Sequence, residues 1–120
     1  MQIGEFSRIT GIGAYTLRYY EKKGLIRVER DPGGRRDYRE ADVEWVKFIK
    51  RLKDTGMLLR DIKYYSDLRY AGDQTMPERM ELLLRHRSFV EEQQRKWEEY
   101  RKNLDDKIEI YRARGVSGGS

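Results

Sequence analysis

The 120 residues carry 38% hydrophobic and 39% charged side chains and a net charge of +5, which suits one domain with a small core plus one long extra element. With no cysteine and a single histidine, His86, the chain excludes disulfides and thiol chemistry and lacks the usual zinc donors, so no metal or cofactor is expected. No stretch approaches the ~20 apolar residues of a membrane span, and Met1-Gln2-Ile3-Gly4-Glu5 lacks the regions of a secretory signal; the expectation is a cytoplasmic protein with no membrane partner.

The charge is unevenly placed. Residues 1–70 hold 16 Lys/Arg against 11 Asp/Glu, whereas residues 71–120 balance at 10 each. A basic N-terminal module beside a neutral one is the footprint of a nucleic-acid contact surface, although a solvated basic surface accounts for the charge equally well.

Ile3, Phe6 and Ile9 recur at helical spacing over residues 3–10, and Gly11 breaks the helix. Ile12 reads as a core plug and Gly13 as the weak N-cap of a second helix. That helix runs through Thr16-Leu17-Arg18-Tyr19-Tyr20-Glu21-Lys22-Lys23 to Gly24. Two short helices joined by a glycine turn describe a helix-turn-helix, whose second helix enters the major groove. Tyr15, Thr16 and Arg18 fall near its N-terminal half, where base contacts are expected. Tyr19, Tyr20, Lys22 and Lys23 add hydroxyls and cations for an anionic partner.

Leu25–Arg30 is extended in character. Asp31-Pro32-Gly33-Gly34 has the chemistry of a type II turn, with glycine at the third position, and residues 35–39 return as the partner strand. The hairpin reads as a wing, with Arg35 and Arg36 placed for phosphate or a minor groove. An exposed basic loop is the alternative; its position directly after a helix-turn-helix favours the wing.

Residues 41–55 form a third helix with Val43, Val46, Ile49 and Leu52 on one face, widened by Trp45 and Phe48. Residues 58–70 form a fourth, with Leu59, Ile62, Tyr65 and Leu68 inside. Arg60, in its first turn, is placed to help the helix N-terminus hold a phosphate. Tyr64, Tyr65 and Tyr70 read as packing or surface residues, with walls of a small-molecule effector pocket as the lesser reading.

After a linker at 71–75, Thr75-Met76-Pro77-Glu78 reads as a capping box. No Gly or Pro then interrupts the chain to about Arg112, giving roughly 55 Å of helix. Leu83, Val90, Trp97, Leu104 and Tyr111 recur every seventh residue, with Ile108 beside them. Polar Arg87, Gln94 and Arg101 break the seam. So narrow a stripe asks for another helix, and a second copy of the chain is the simplest donor. Residues 114–120 read as a disordered tail.

Together these elements resemble the MerR family of bacterial transcription regulators. The resemblance rests on Ile3-Gly4-Glu5-Phe6, Gly11-Ile12, Thr16-Leu17-Arg18-Tyr19-Tyr20-Glu21 with Gly24-Leu25-Ile26, Arg36-Asp37-Tyr38 before Asp42-Val43, Phe48-Ile49, and Gly56-Met57 leading to Ile62. Residues 45–85 look most like the small regulators linked to aldehyde and oxidant stress. The resemblance implies a mainly α fold: a winged helix-turn-helix domain over residues 1–70 and a dimerisation helix over 76–113 pairing as an antiparallel coiled coil. It implies a homodimer on a palindromic promoter, distorting the spacer so that RNA polymerase engages both promoter elements. Carried over by position, Thr16, Arg18, Tyr19 and Tyr20 become DNA contacts, Arg36 and Tyr38 wing or backbone contacts, and Arg60 a further phosphate contact. Gly13 and Leu58 stand where the family usually has capping Ser or Asn, and Ser. The cysteines of its stress- and metal-sensing branches are absent.

The leading expectation is therefore a dimeric, sequence-specific DNA-binding regulator. A DNA-bending architectural or excision factor shares the winged helix and is the alternative. A coiled-coil adaptor leaves the basic helix and wing unexplained. No nucleophile–base pair and no phosphate-cradling glycine loop supports an enzyme.

Overall fold

In the computed structural model, which describes residues 1–116, helix α1 (Ile3–Thr10) ends at Gly11, whose φ of 71° is left-handed. Glycine takes that cap geometry without a Cβ penalty. Two hydroxyls then fix the turn. Thr10 donates to the Phe6 carbonyl (2.8 Å) and accepts from the Ile12 N–H (3.2 Å), while Ser7 donates to the Ile12 carbonyl (2.6 Å). Ile12 is buried by this turn, and Phe6 and Thr10 face inward. Ile9, expected on the apolar face, is exposed: in so short a helix Thr10 follows Phe6 into the core and Ile9 falls outside it. Helix α2 (Ala14–Lys22) starts at Gly13, which is extended and offers no side-chain cap. Leu17 and Tyr20 form its buried side.

The hairpin is shorter than expected. Strands β1 (Glu29–Arg30) and β2 (Arg36–Asp37) pair antiparallel, with Glu29 opposite Asp37 and Arg30 opposite Arg36. Its turn is not the type II turn read from the sequence. That turn needs φ > 0 at Gly33, whereas Gly34 has the positive φ (81°), as in a tight turn followed by a left-handed bulge residue. The Asp31 carboxylate decides the matter by accepting from the N–H groups of Gly33 and Arg35, both at 2.9 Å. At the far end of β2, the Tyr38 N–H donates to the Met1 carbonyl (2.7 Å), and the Met1 ammonium donates to the Tyr38 carbonyl (2.6 Å) and to Asp37 (2.7 Å). Residue 1 thus continues the ladder beside the wing.

A 3-10 turn at Glu40–Asp42 leads into α3 (Val43–Asp54), and Gly56 (φ 93°) separates it from α4 (Leu59–Ala71). Val46, Ile49 and Ile62 are fully buried, and Trp45 stacks on Tyr65 with centroids 5.6 Å apart. Burial of each such side chain contributes about 1.5–3 kcal/mol. The exit of α2 is tied into this layer. The Leu25 carbonyl accepts from both the Trp45 indole (3.2 Å) and the Ser66 hydroxyl (2.6 Å), and the Tyr70 hydroxyl accepts from the Arg27 N–H (2.9 Å).

Helix α5 (Met76–Ala113) follows a 3-10 turn at Asp73–Thr75. The expected capping box does not form. Thr75 is buried, and its hydroxyl donates back to the carbonyls of Leu68 (2.6 Å) and Gly72 (2.7 Å) at the end of α4. Because residues 73–75 are already helical, the unsatisfied carbonyls behind Thr75 claim the hydroxyl. Glu78 instead accepts from the Tyr64 hydroxyl at 3.2 Å.

The compact N-terminal unit runs from Met1 to Leu83 and so takes in the first turns of α5. Ala71 ends α4, Gly72 (φ 120°) breaks the helix, and Asp73–Thr75 form the 3-10 turn, while Leu82 belongs to the core. The second unit begins at Leu84. From there on, none of the described residues is buried, and surface pairs such as Arg87–Glu91 and Arg112–Glu109 run along the helix. Gly115 (φ 85°) closes α5, with the Val116 N–H donating to the Tyr111 carbonyl at 3.2 Å. Residues 114–116 therefore form a helix-ending turn, and the rest of the expected disordered tail lies outside the described residues.

Candidate nucleic-acid interface

Burial of Leu17 and Tyr20 leaves the opposite side of α2 to the solvent. Tyr15 is 83% exposed, Arg18 and Lys22 are exposed, and Thr16 and Tyr19 are half-buried. Spacings of three and four put Tyr15, Arg18, Tyr19 and Lys22 on one face. That face offers two phenols and two cations, which suits base edges and phosphates.

Two ammonium groups lie near the Tyr19 ring. Lys23 lies 5.7 Å from the ring centroid and Lys53, from the last turn of α3, lies 5.1 Å away. Lys53 was not singled out by sequence reasoning. Its position on the polar face of α3 carries no signal, and only the packing of α3 against the helix-turn-helix brings it to Tyr19.

Two tyrosines expected at the interface are core residues instead. Tyr20 is 1% exposed, and burial, reinforced by the Asp54 carboxylate, pushes its phenol above the ordinary value. A helix of nine residues needs two or more inward side chains, and Tyr20 lies three residues from Leu17 on that side. Tyr38 is 3% exposed, its ring stacked on Phe6 at 4.7 Å. The Tyr38 hydroxyl is covered and has no hydrogen-bond partner among the described residues, a state that costs about 1–3 kcal/mol. Burial and then the Glu21 carboxylate push its phenol up, while Arg36, Arg18 and Arg30 pull it back. Those charges converge around Tyr38 from α2 and from both wing strands.

Glu21 is the anion of this group. It accepts from the Arg36 Nε at 2.5 Å and from Arg30 at 3.5 Å. Its hydrogen bond, and then its charge, push the Arg36 guanidinium further up. Arg36 is therefore held against α2, whereas Arg35 at the wing tip is exposed. Arg60 is exposed in the first turn of α4, where Leu58 offers no side-chain cap. The expected dimerisation residues divide. Leu83 packs against the N-terminal core and Val90 is half-buried, but Trp97 (70%), Leu104 (64%), Ile108 and Tyr111 are exposed. Among the described residues no cluster of metal-ligating side chains occurs, and no helix is long and apolar enough to cross a membrane.

Comparison with known proteins bears on this arrangement. Residues 1–68 match the model of the MerR HTH family regulatory proteins, and residues 43–107 match a second model described as MerR, DNA binding. An HTH-type transcriptional regulator of Haemophilus influenzae is 38% identical over 84% of this chain and 76% of its own length. The regulator YyaN of Bacillus subtilis is 36% identical over 91% and 88%. Among solved structures, HiNmlR, a MerR family regulator lacking the sensor domain and bound to promoter DNA, is 34% identical with a TM-score of 0.81 over 93% of this chain and 90% of that one. A MerR family regulator from Listeria monocytogenes is 31% identical with a TM-score of 0.86, covering 92% and 85%.

Proposed function

The chain belongs to the MerR family of DNA-binding transcriptional regulators, which are not enzymes, and from that premise we propose that it acts as a homodimer on a palindromic promoter. Two copies of α2 enter successive major grooves and distort the spacer between them, so that RNA polymerase engages both promoter elements. The observation that carries this reading is the solvent-facing side of α2. Tyr15, Thr16, Arg18 and Tyr19 reach base edges there, while Lys22, Lys23 and Lys53 approach phosphates. Arg35 and Arg36 extend the contact through the wing, and Arg60 extends it at the start of α4, where an uncapped helix N-terminus suits a phosphate. Exposed Trp97, Leu104, Ile108 and Tyr111 supply the stripe for a second copy of α5. That HiNmlR is bound to promoter DNA supports promoter DNA as the partner.

The test is a salt-controlled gel shift with a duplex selected by the protein from a random pool, competed by a scramble of the same composition. The retained band is competed away by the selected duplex alone, and its affinity falls steeply with salt. Arg18→Ala weakens selected-duplex binding by about 1–3 kcal/mol. Equal competition by both duplexes, or full affinity in the variant, counts against the reading.

A further inference from the structure

We propose that Glu21 is a built-in anion that competes with DNA phosphate for the wing arginines, and so sets the margin between specific and non-specific binding. The inference rests on the DNA-binding function proposed above and assigns that surface a specificity-determining positioning residue.

Three observations meet at Glu21. Arg30 and Arg36 stand directly opposite each other across the β1–β2 pair, an arrangement of like charges that destabilises a hairpin on its own. Glu21, in the last turn of α2, bonds both: Arg36 Nε at 2.5 Å and Arg30 at 3.5 Å. The Glu21 side chain is 20% exposed and that of Arg36 35%, so the pair is better shielded than the pairs along α5, whose side chains are 46–76% exposed. The carboxylate offsets the repulsion and ties the wing to the recognition helix.

This arrangement treats two classes of DNA differently. Non-specific binding depends on how many mobile cations meet phosphates, and each such contact releases counterions. Glu21 withdraws part of two guanidinium groups from that pool. Specific binding depends on groups held in place beforehand. Arg36, fixed through Nε, still has its terminal N–H groups to offer in one orientation. Glu21 therefore lowers affinity for arbitrary sequence more than affinity for the matched site. The buried Tyr38 hydroxyl lies within the field of Glu21, Arg18, Arg30 and Arg36, so the group extends from the core to the surface.

The experiment measures dissociation constants for the selected duplex and its scramble over a salt series, using the wild-type chain, Glu21→Gln, Arg36→Gln and the double variant. Thermal unfolding checks that each is folded, and Glu21→Ala gives the same charge change should the amide disturb folding. Glu21→Gln binds the scramble on the order of tenfold tighter at low salt, with a salt slope steeper by up to about one. The selected duplex changes by less than about threefold, so the specificity ratio falls several-fold. With Arg36→Gln in place the same substitution changes the ratio at least about threefold less, because its main partner is gone. An unchanged ratio in Glu21→Gln overturns the inference, as does an equal loss for both duplexes or an undiminished effect without Arg36. If the wild-type chain selects no sequence from the pool, the DNA-binding proposal fails first and takes this one with it.

Discussion

The two units of this chain hold their structure in different ways. Residues 1–83 enclose a core in which Phe6, Leu17, Leu25, Val46, Ile49 and Ile62 are essentially inaccessible to solvent. From Leu84 onward no described residue is buried, and the helix rests on its own backbone hydrogen bonds and on i,i+3 and i,i+4 ion pairs. Such pairs contribute only about 0.2–0.5 kcal/mol each. The first unit has a core of its own. The second carries the apolar side chains of a core without the core, and a helix of that kind gains its stability from a partner.

The contrast makes the two units answer mutation differently. The largest effect falls in the first. Phe6→Ala removes a fully buried ring stacked on Tyr38 and costs about 3–5 kcal/mol, read as a lowered midpoint in urea unfolding. A loss under about 1 kcal/mol would mean the core is not where burial places it. The next effect falls in the second unit and depends on association. Trp97→Glu or Leu104→Glu changes a side chain that is 70% or 64% exposed within the chain, so substitution within one isolated chain shifts stability by less than about 0.5 kcal/mol. In a dimer the same charge lies in a desolvated seam, and light scattering reports monomers. A dimer that survives both variants would place the interface elsewhere.

The smallest effect sharpens the account of the first unit. Burial holds the Asp42 carboxyl above its ordinary value, while Arg69 and Arg39 pull it back. A raised folded-state value means that the stabilising contribution is fully present below the unfolded value and is lost as pH rises through the folded one. Asp42→Asn therefore gains stability relative to the parent between acid and neutral pH, measured as the difference in unfolding free energy. A gap that moves the other way would show that the Arg69 ion pair at 3.7 Å outweighs the burial.

How legible each part was follows from the range of the interaction. Gly11 as a helix end and Gly13 as an uncapped start depend on neighbours in sequence, and the structure has both. The exposed face of α2 follows from Leu17 pointing inward. The burial of Tyr20 and Tyr38 is not legible in the sequence because a tyrosine suits a core and a phosphate equally, and only packing, such as that of Tyr38 on Phe6, decides between them. The Asp31 side chain chose the turn over the glycine pattern, and Thr75 turned back to α4 instead of forward to α5. Lys53 beside Tyr19 and Glu21 between two arginines join residues far apart in sequence or in separate elements, which periodicity cannot reveal.

The most direct test of the central claim is the mass of the protein–DNA complex by sedimentation, using the selected duplex at a salt concentration where the scramble does not bind. Two chains on one duplex are predicted, with Trp97→Glu abolishing the species. A stable complex of one chain per duplex, unaffected by Trp97→Glu, would contradict the account: the N-terminal unit would then read DNA alone, and the exposed stripe of α5 would need another explanation.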